Sequence, residues 1–372
     1  MKQTARIIST YSADTFGVCS ALFELGGMTV MHDASGCNST YTTHDEPRWY
    51  DMDSMVYISG LSEMEAVMGD DGKLIGDIVT AAEELRPKFI AIAGTPIPAM
   101  TGFDFEAVAR IIEERTGIPA MGFSTTGMNT YVHGASMAFA ELARRFVRGD
   151  AVKTETPSVN LLGLTPLDFS INGTDRAIID LLHKNGWQVL SNWAMGSTLE
   201  DIARAGEAHV NLVVSAAGLE AARVLEDRFG TPYIVGVPYG REWGRAILDG
   251  LMLKMQPHAD DCGAGIVIIG EGVTSLSLAQ AIELETGRGT RVLCPTECEP
   301  SILRKKDLLC RSEEDIEAYV KNAELVIADP LYRPICPGRF LDLPSEAFSG
   351  RIYRKQIPNL VRDFETFICE VL

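Results

Sequence analysis

The chain has 372 residues, which at roughly 100 to 200 residues per domain predicts two or three domains with their own cores. Hydrophobic residues make up 46% and charged residues 23%, a composition typical of folded proteins that excludes wholesale disorder. The 51 acidic residues outnumber 33 lysines and arginines, and the formal net charge of -18 repels phosphate backbones and anionic lipid surfaces. We therefore expect no nucleic-acid partner.

The sequence also indicates in which cellular compartment the protein is found. No apolar run approaches the roughly 20 residues that span a bilayer, and the N-terminus does not resemble a signal peptide. The cysteines are scattered and too sparse for a secreted disulfide scaffold. These features predict a cytoplasmic protein with no membrane partner, in which cysteines are thiols, metal ligands or core residues.

Short apolar runs alternate along the chain with Gly/Ser/Thr/Pro turns and helical patterns, which is typical of parallel βαβ construction. In the first region, residues 88–94 predict a buried strand and residues 104–115 an amphipathic helix capped by Asp104. The polar stretch 149–158 predicts a boundary. We place the first domain at residues 1–152.

The second region begins with a predicted strand at 159–164 and continues through strands at 211–215 and 232–236. A polar connection at 256–261 predicts its end. The second domain is therefore expected at residues 153–260.

The third region opens with a predicted strand at 265–270 and carries further strands at 290–294 and 324–329. An amphipathic helical tail is expected from about residue 359 to residue 371. The third domain is placed at residues 261–372.

These regions predict an α/β protein of three doubly wound, Rossmann-like domains with mostly parallel sheets around a central crevice. In such domains ligands bind at the loops that follow the carboxyl ends of the strands. The candidate binding residues in these crevice loops are Thr95, Ser215, Glu271 and Thr274. The architecture alone does not name the ligand.

Two observations concern nucleotide chemistry. The turn at 270–275 is a degenerate GxGxxG motif in which Ser275 replaces the third glycine, so a nucleotide-linked α/β enzyme is one hypothesis. The chain contains no G-x-x-x-x-G-K-[ST] motif. We therefore expect that it does not itself hydrolyse ATP.

A group of cysteines lies in the third region. Cys294 and Cys298 are four residues apart, with Cys310 and Cys336 farther on, and thiolates at short spacing can chelate zinc or iron. Cys294 ends a predicted strand and Cys310 follows an apolar pair, which is equally typical of buried structural cysteines. Both interpretations remain open at this point.

The segment 17–41 is more specific. A glycine opens a helix, a Gly-Gly turn and an apolar strand follow, and then comes His32-Asp-Ala-Ser-Gly-Cys37. The segment resembles the N-terminal signature of nitrogenase component 1 proteins, in which Asp33 is usually Gly. Further stretches match the family in the same order, at 58–63, 69–72, 86–93, 122–127, 134, 197–203, 211–215 and 229–233.

The resemblance implies a redox subunit that pairs about a twofold axis, holds an iron-sulfur cluster near the dimer interface, and receives electrons from a separate ATP-hydrolysing iron protein. Of the family's three cluster cysteines in this domain, only Cys37 occupies a matching position, and Cys19 lies inside the following helix pattern. We expect a [4Fe-4S] cluster shared by two copies of the chain, with Cys37 and Cys19 as ligands and Asp14 as an alternative carboxylate ligand.

At the family's cofactor-cysteine region the chain reads Ser215-Ala-Ala-Gly218, so the thiolate anchor of the nitrogenase cofactor is missing and dinitrogen is not the expected substrate. The leading hypothesis is a homodimeric nitrogenase-like oxidoreductase that reduces a small organic or tetrapyrrole substrate. A non-redox scaffold or carrier for a metallocluster or tetrapyrrole, and the nucleotide-linked enzyme, are the alternatives.

Overall fold

The computed structural model describes residues 6–9, 13–258 and 263–372, with the backbone alone at Cys37, Thr40, Thr43 and His44. The described chain forms three parallel sheets, each covered by helices. The predicted α/β fold class with three Rossmann-like sheets is confirmed. No helix among the described residues is long and apolar enough to cross a membrane.

The first sheet is built from β1 (Met28–Met31), β2 (Met55–Ile58), β3 (Ile90–Ala93) and β4 (Ala120–Phe123). Its helices are α1 (Asp14–Leu22), α2 (Cys37–Thr40), α3 (Glu63–Met68), α4 (Gly72–Leu85), α5 (Pro96–Thr101), α6 (Phe105–Thr116) and α7 (Tyr131–Arg145), with a π-helical turn at Tyr41–Asp45. The strand order is β2-β1-β3-β4. β1 and β3 are buried throughout because both faces of the sheet are covered.

The second sheet is built from β5 (Ser158–Leu164), β6 (Gln188–Ala194), β7 (Val210–Val213) and β8 (Tyr233–Val235), in the order β6-β5-β7-β8. Its helices are α8 (Pro166–Phe169), α9 (Thr174–Lys184), α10 (Leu199–Ala203), α11 (Leu219–Phe229) and α12 (Glu242–Leu253), with 3-10 turns at Ala205–Glu207 and Ala216–Gly218. The Gln256 side chain lies along the outer edge of β8, where Nε2 donates to the Val235 carbonyl at 2.7 Å and Oε1 accepts from the Val235 N–H at 2.8 Å.

The third sheet is built from β9 (Ile266–Ile269), β10 (Thr290–Cys294), β11 (Leu308–Leu309), β12 (Leu325–Ala328) and β13 (Phe340–Asp342), in the order β11-β10-β9-β12-β13. Its helices are α13 (Gly272–Thr286), α14 (Glu313–Val320), α15 (Glu346–Ser349) and α16 (Phe364–Val371), with 3-10 turns at Pro330–Ile335, Gly350–Ile352 and Arg354–Gln356. One hydrophobic cluster contains residues from all three sheets, among them Ala93, Leu162 and Ile269.

In each sheet the chain order reverses once, between β1 and β3, between β5 and β7, and between β9 and β12. Ligands of doubly wound sheets bind at such switch points, outside the carboxyl ends of the strands. The loops after these six strands therefore contain the residues of interest.

Helices α1 and α7 approach until their backbones touch. A Cβ atom on Gly17 would lie 1.9 Å from the Tyr131 carbonyl oxygen, and one on Gly134 would lie 1.8 Å from the Asp14 carbonyl oxygen. Two glycines are needed there because any side chain would collide with the opposite backbone. This contact fixes α1 and Tyr131 relative to each other.

Candidate functional site

The loop after β1 carries the predicted cluster motif. Ser35 and Gly36 have φ angles of 101° and 86°, and the serine thereby holds a conformation that L-residues rarely adopt. The helix α2 begins immediately afterwards, at Cys37. The thiol of Cys37 lies outside the part of the chain that the structure describes, so its role as a ligand stays a prediction.

Asp33 ties this loop to the ends of the neighbouring strands. Its Oδ2 accepts a hydrogen bond from the Asn38 side-chain amide, and its backbone N–H donates to Ser59 Oγ at 3.1 Å. The Thr95 hydroxyl lies 3.1 Å from Asp33 Oδ1 and 2.9 Å from the His32 carbonyl oxygen. Thr95 was predicted as a crevice-loop residue. Its hydroxyl thus hydrogen-bonds the loop that precedes Cys37 to the end of β3.

His32 directly follows β1 and precedes Asp33. Its Nδ1 lies 2.9 Å from Ser59 Oγ, and its ring packs on Phe103 with the ring centroids 4.5 Å apart. Burial lowers the pKa of His32 to about 4, although the Asp33 and Glu65 carboxylates act in the opposite direction. The imidazole is therefore neutral at physiological pH.

Cys19, the second predicted iron ligand, lies in the middle of α1. Its side chain is 0% exposed. Burial, and after it the nearby Glu46 carboxylate, raise the pKa of this thiol far above its usual value. Cys19 is therefore a buried, protonated thiol in the structure without metal, and its role as an iron ligand stays a prediction.

Asp14, the alternative carboxylate ligand, is also fully buried. Its Oδ1 accepts from the N–H groups of Thr15 at 2.9 Å and Gly127 at 2.7 Å. Its Oδ2 accepts from the Thr126 N–H at 3.0 Å and from the Asn129 amide at 3.3 Å. These bonds occupy both oxygens, so Asp14 holds the loop before α7 and does not support the ligand role.

A [4Fe-4S] cluster takes about four ligands. Throughout the described residues, no group of three or more His, Cys, Asp and Glu side chains is arranged to hold a metal ion. The described part of a single chain therefore does not fit such a cluster. A cluster at this sheet edge, held by Cys37 and by ligands from a second chain, therefore stays a prediction.

A second group of polar residues lies where the loops after β5, β7 and β9 meet. Glu271 caps α13 and is 4% exposed. Its Oε1 accepts from the N–H groups of Ala216 at 2.8 Å and Val273 at 3.1 Å, and its Oε2 accepts from the Thr274 N–H at 2.9 Å. Backbone N–H groups and the start of α13 thus stabilise a negative charge on Glu271.

Asp168, in the short helix α8 that follows β5, faces the same place. The Tyr131 hydroxyl donates a hydrogen bond to its Oδ1, and the Thr165 hydroxyl lies 3.1 Å from its Oδ2. Burial, and after it the charge of Glu271, raise the pKa of Asp168 well above its usual value, against the hydrogen bonds from Tyr131 and Ser215.

Burial raises the pKa of Glu271 as well, against the hydrogen bonds from the N–H groups of Thr274, Ala216 and Val273. Because two buried carboxylates that interact this strongly repel each other, the pair holds a proton.

Both carboxyl groups line a cavity of about 80 Å³ at the junction of the second and third sheets. Thr274 and Tyr239 line it as well, as does Asp329 at the end of β12. Burial also raises the pKa of Asp329. Among the described residues that line this cavity there is no lysine, arginine or histidine. The site can thus offer protons and hydrogen bonds to a small guest.

The structure brings Ser215, Glu271 and Thr274 together at this crevice, whereas Thr95 lies at the end of the first sheet. Sequence reasoning missed Asp168, which lies in α8 just after the carboxyl end of β5. It also missed Tyr131. This residue begins α7, more than thirty positions before Asp168 in the chain, so no local sequence pattern indicates the hydrogen bond between the two side chains.

The cysteines of the third region pack together in part. A Cβ atom on Gly272 would lie 2.4 Å from Cys298 Sγ and 3.6 Å from Cys294 Sγ. The Cys310 N–H donates to the Cys294 carbonyl at 2.8 Å, and Cys336 follows the 3-10 turn after β12. The neighbouring Cys294, and after it burial, raise the pKa of Cys298. Cys294 and Cys310 are buried, whereas Cys298 and Cys336 are partly exposed, and among the described residues no group of three or more metal-binding side chains is found here.

The chain thus contains three doubly wound parallel sheets, each with one switch point between its central strands. The family model described as nitrogenase component 1 type oxidoreductase matches residues 15–253, and the chain belongs to this family. The family predicted from the His32–Cys37 motif is thereby confirmed.

Two relatives illustrate the range of the family. The nitrogenase iron-molybdenum cofactor biosynthesis protein NifE of Nostoc sp. is 26% identical over 245 residues, which is 65% of this chain and 50% of that protein. One of the subunits of the light-independent protochlorophyllide reductase of Prosthecochloris aestuarii is 29% identical over 193 residues, 49% of this chain and 35% of that protein. The chain thus spans about half the length, or less, of these curated relatives.

A solved structure of nitrogenase Cp1 at pH 6.5 matches with a TM-score of 0.70 and 14% identity, covering 100% of this chain and 95% of that one. A second, of nitrogenase Cp1 at pH 5, matches with a TM-score of 0.68 and 15% identity, covering 99% and 89%. At this identity the match shows the fold alone.

Proposed function

We propose that the chain is the subunit of a homodimeric, nitrogenase-like reductase that reduces a small organic substrate in the crevice, with electrons supplied by an ATP-hydrolysing iron protein. The observation that carries the proposal is the buried pair of carboxyl groups, Asp168 and Glu271. Reduction of an organic bond consumes protons together with electrons, and a buried acid with a raised pKa supplies protons at neutral pH.

In this proposal Asp168 transfers its proton to the substrate in the adjoining cavity. The Tyr131 hydroxyl, which donates to Oδ1, then stabilises the carboxylate that remains. We assign the negative charge of the pair to Glu271, which accepts three backbone N–H hydrogen bonds, and its charge raises the pKa of Asp168 so that Asp168 keeps its proton until the substrate takes it. Asp168 is therefore the proposed catalytic acid, and Tyr131 and Glu271 are positioning residues.

The cavity size bears on the substrate. A volume of about 80 Å³ is well below the roughly 300 to 1,000 Å³ of pockets that enclose drug-sized molecules. This supports a small substrate, because a tetrapyrrole would require the crevice to open. The protochlorophyllide reductase among the relatives keeps the larger substrate as the competing choice.

The electron source follows from the family and the sequence. The iron-sulfur cluster of the proposal would supply electrons one at a time. The chain has no P-loop, so ATP hydrolysis falls to a separate iron protein. The proposal requires a compartment with ATP and reduced thiols, which supports the cytoplasm.

The homodimer is supported by an exposed apolar surface at the carboxyl edge of the first sheet. Helices α3 and α5 lie side by side there, after β2 and β3. Val67 is 77% exposed and Met100 is 87% exposed. The other members of this surface are Met64, Met68 and Ile97. Such clusters mark protein interfaces, and the Cys37 loop follows β1 at the same edge. A second copy here would place two Cys37 residues at one interface.

The test is anaerobic purification followed by iron and acid-labile sulfide analysis and measurement of mass in solution. We expect a dimer that carries iron and sulfide. Cys37→Ala should abolish both without unfolding the chain, whereas Cys369→Ala, at an exposed residue of α16, should change neither. Full iron content in Cys37→Ala, or a monomeric wild type, would contradict the proposal.

A non-redox scaffold for a metallocluster is a second candidate. It is favoured by relatives named as cofactor biosynthesis proteins. A scaffold would release its cluster to an acceptor protein and would show no turnover with a reduced iron protein and ATP. A reductase would keep its cluster and turn over.

A further inference from the structure

The carboxyl groups of the crevice cavity have no positive charge to balance them. Three of them line it, from Asp168, Glu271 and Asp329, and none of the described residues forms an ion pair with any of the three. Two other buried acids, by contrast, have an arginine partner, in the Glu46–Arg48 pair at 2.6 Å and the Glu283–Arg304 pair at 2.9 Å. A buried charge is costly without a partner, so the negative charge that remains when the Asp168–Glu271 pair holds one proton favours a cationic guest.

Two hydroxyl groups of the same lining are unpaired. Tyr239 is 5% exposed and Ser275 is 6% exposed, and neither side-chain hydroxyl hydrogen-bonds to any of the described residues. Neither oxygen belongs to the unpaired atoms that are sealed from solvent, such as Ser20 Oγ, so a guest in the cavity can reach both. Burial, and after it the charges of Glu271 and Asp168, raise the pKa of Tyr239, so its hydroxyl faces the two carboxyl groups. Buried polar groups are nearly always paired, and a guest would supply the missing partner.

The rest of the lining favours an organic cation over a metal ion. Throughout the described residues, no group of three or more His, Cys, Asp and Glu side chains is arranged to hold a metal. Apolar side chains such as Phe169, Ile269 and Phe348 make up much of the remaining wall. Apolar walls with a few polar groups are typical of sites for small organic molecules. The N–H groups of an organic cation would donate to the carboxylate and hydroxyl oxygens.

We propose that the crevice cavity binds a small organic cation with N–H groups on a carbon–nitrogen double bond, that is, an amidinium or iminium ion. The positive charge and the N–H groups follow from the unbalanced carboxyl groups and from the free hydroxyls of Tyr239 and Ser275. The double bond follows from the proposed reductase, and in that respect the inference rests on the proposed function. The volume of about 80 Å³ restricts the cation to a small one.

Reduction of such a cation would use the proton of Asp168. Two electrons and this proton form a new C–H bond at the carbon, and the π electrons of the carbon–nitrogen bond become the lone pair of the nitrogen. The product is a neutral amine, and Asp168 is left as a carboxylate. The electrons are those of the iron-sulfur cluster in the proposed function.

Three probes of equal size test the preference for positive charge. Acetamidinium, acetamide and acetate share one heavy-atom skeleton and are positive, neutral and negative. Each is titrated calorimetrically into the full chain at about 0.15 M salt, which screens attraction to the acidic surface. Acetamidinium is expected to bind at least tenfold more tightly than acetamide, and acetate is expected not to bind. Equal binding of acetamidinium and acetamide, or no binding of acetamidinium, would overturn the inference.

A tyrosine variant locates the binding. Tyr239→Phe removes only an unpaired hydroxyl, so the chain should keep its fold and bind acetamidinium about tenfold more weakly. Tyr50→Phe, at a tyrosine that is 73% exposed, is the matched control and should bind as the wild type does. Wild-type affinity in Tyr239→Phe would contradict the assignment of the site.

A double variant tests the charge. Asp168→Asn/Glu271→Gln removes the charge of the pair and should abolish the preference for acetamidinium over acetamide. Glu226→Gln/Asp227→Asn removes two charges at exposed residues of α11 and should leave the preference unchanged. An unaltered preference in the folded Asp168→Asn/Glu271→Gln chain would contradict the inference, and Tyr239→Phe still tests it if this chain does not fold.

These outcomes are distinct from those of iron analysis. A dimer that carries iron and sulfide but does not prefer acetamidinium would overturn this inference alone. A chain that prefers acetamidinium but carries no iron would contradict the proposed reductase and would still support the cation site.

Discussion

The Glu271 carboxylate accepts a hydrogen bond from the backbone N–H of Ala216 at 2.8 Å. This bond joins the first turn of α13 to the loop after β7, so the switch points of the second and third sheets are locked together. Ala216 belongs to the segment that resembles the family's cofactor-cysteine region. In this chain the backbone N–H of Ala216 in that turn is already hydrogen-bonded to the Glu271 carboxylate.

Stability should depend on pH through Asp168. Its pKa is higher in the folded chain than in the unfolded one, so its contribution is complete below the unfolded value of about 4 and is lost as pH rises toward the folded pKa. We expect Asp168→Asn, which keeps an acceptor for Tyr131, to flatten this loss. Urea unfolding at pH 5 to 9 measures it. Asp227→Asn, exposed on α11, should follow the wild type.

Turnover should respond to the same residue. If Asp168 donates the proton, Asp168→Asn should lower kcat by about 10² to 10⁴, the usual contribution of general acid catalysis. Iron and sulfide content should be unchanged, because Asp168 is remote in the chain from Cys37 and holds no iron in the proposal. The measurement is anaerobic turnover with a reduced iron protein and ATP. An unchanged kcat would exclude Asp168 as the proton donor.

The contact of α1 with α7 predicts a large effect of one methyl group. Gly134→Ala would place a Cβ atom 1.8 Å from the Asp14 carbonyl oxygen, so the helices must separate. We expect the free energy of unfolding to fall by more than about 3 kcal/mol. Gly76→Ala, in the middle of α4 with nothing within 4 Å of the new Cβ, should instead raise it by about 1 kcal/mol. Denaturant titration distinguishes the two, and equal effects would contradict the close contact.

Acid should destabilise the first sheet through His32. Its folded pKa of about 4 lies below the unfolded value of about 6.5, so its contribution is complete above about pH 6.5 and is lost as pH falls toward 4. His32→Gln should therefore make the melting temperature less sensitive to pH between about 7 and 4. His183→Gln, exposed near the end of α9, should behave as the wild type does. Parallel melting curves for His32→Gln and the wild type would show that His32 is not buried in its neutral form.

Local patterns predicted much of the fold. The helix expected at 104–115 is α6 (Phe105–Thr116), and Asp104 caps it by accepting from the Ala107 N–H at 2.9 Å. The strand expected at 88–94 is β3, and the tail expected from residue 359 becomes helical at Phe364. Capping and apolar runs are short-range signals, so they are readable from neighbouring residues.

The candidate site was harder to predict from the sequence, because its residues come from segments that are far apart in the chain. Glu271 was expected in a crevice loop, but its pairing with Asp168 depends on how the second and third sheets pack. Asp14 and Cys19 were expected as ligands because a twofold axis would bring their copies close to Cys37, although neither occupies a cysteine position of the family motif. Both residues are fully buried, and the Asp14 carboxylate accepts hydrogen bonds at both oxygens; neither property is visible in a sequence without its tertiary contacts.

The Gln256 side chain, which pairs with both polar backbone groups of Val235, has a consequence for self-association. β8 is an outermost strand, and an open edge of this kind is a template on which another polypeptide can add a strand and begin aggregation. The amide of Gln256 behaves as one residue of such an added strand and fills the position in advance. The second sheet is thereby blocked at Val235 against growth by β-augmentation, whereas the exposed apolar surface of α3 and α5 stays open to a second copy.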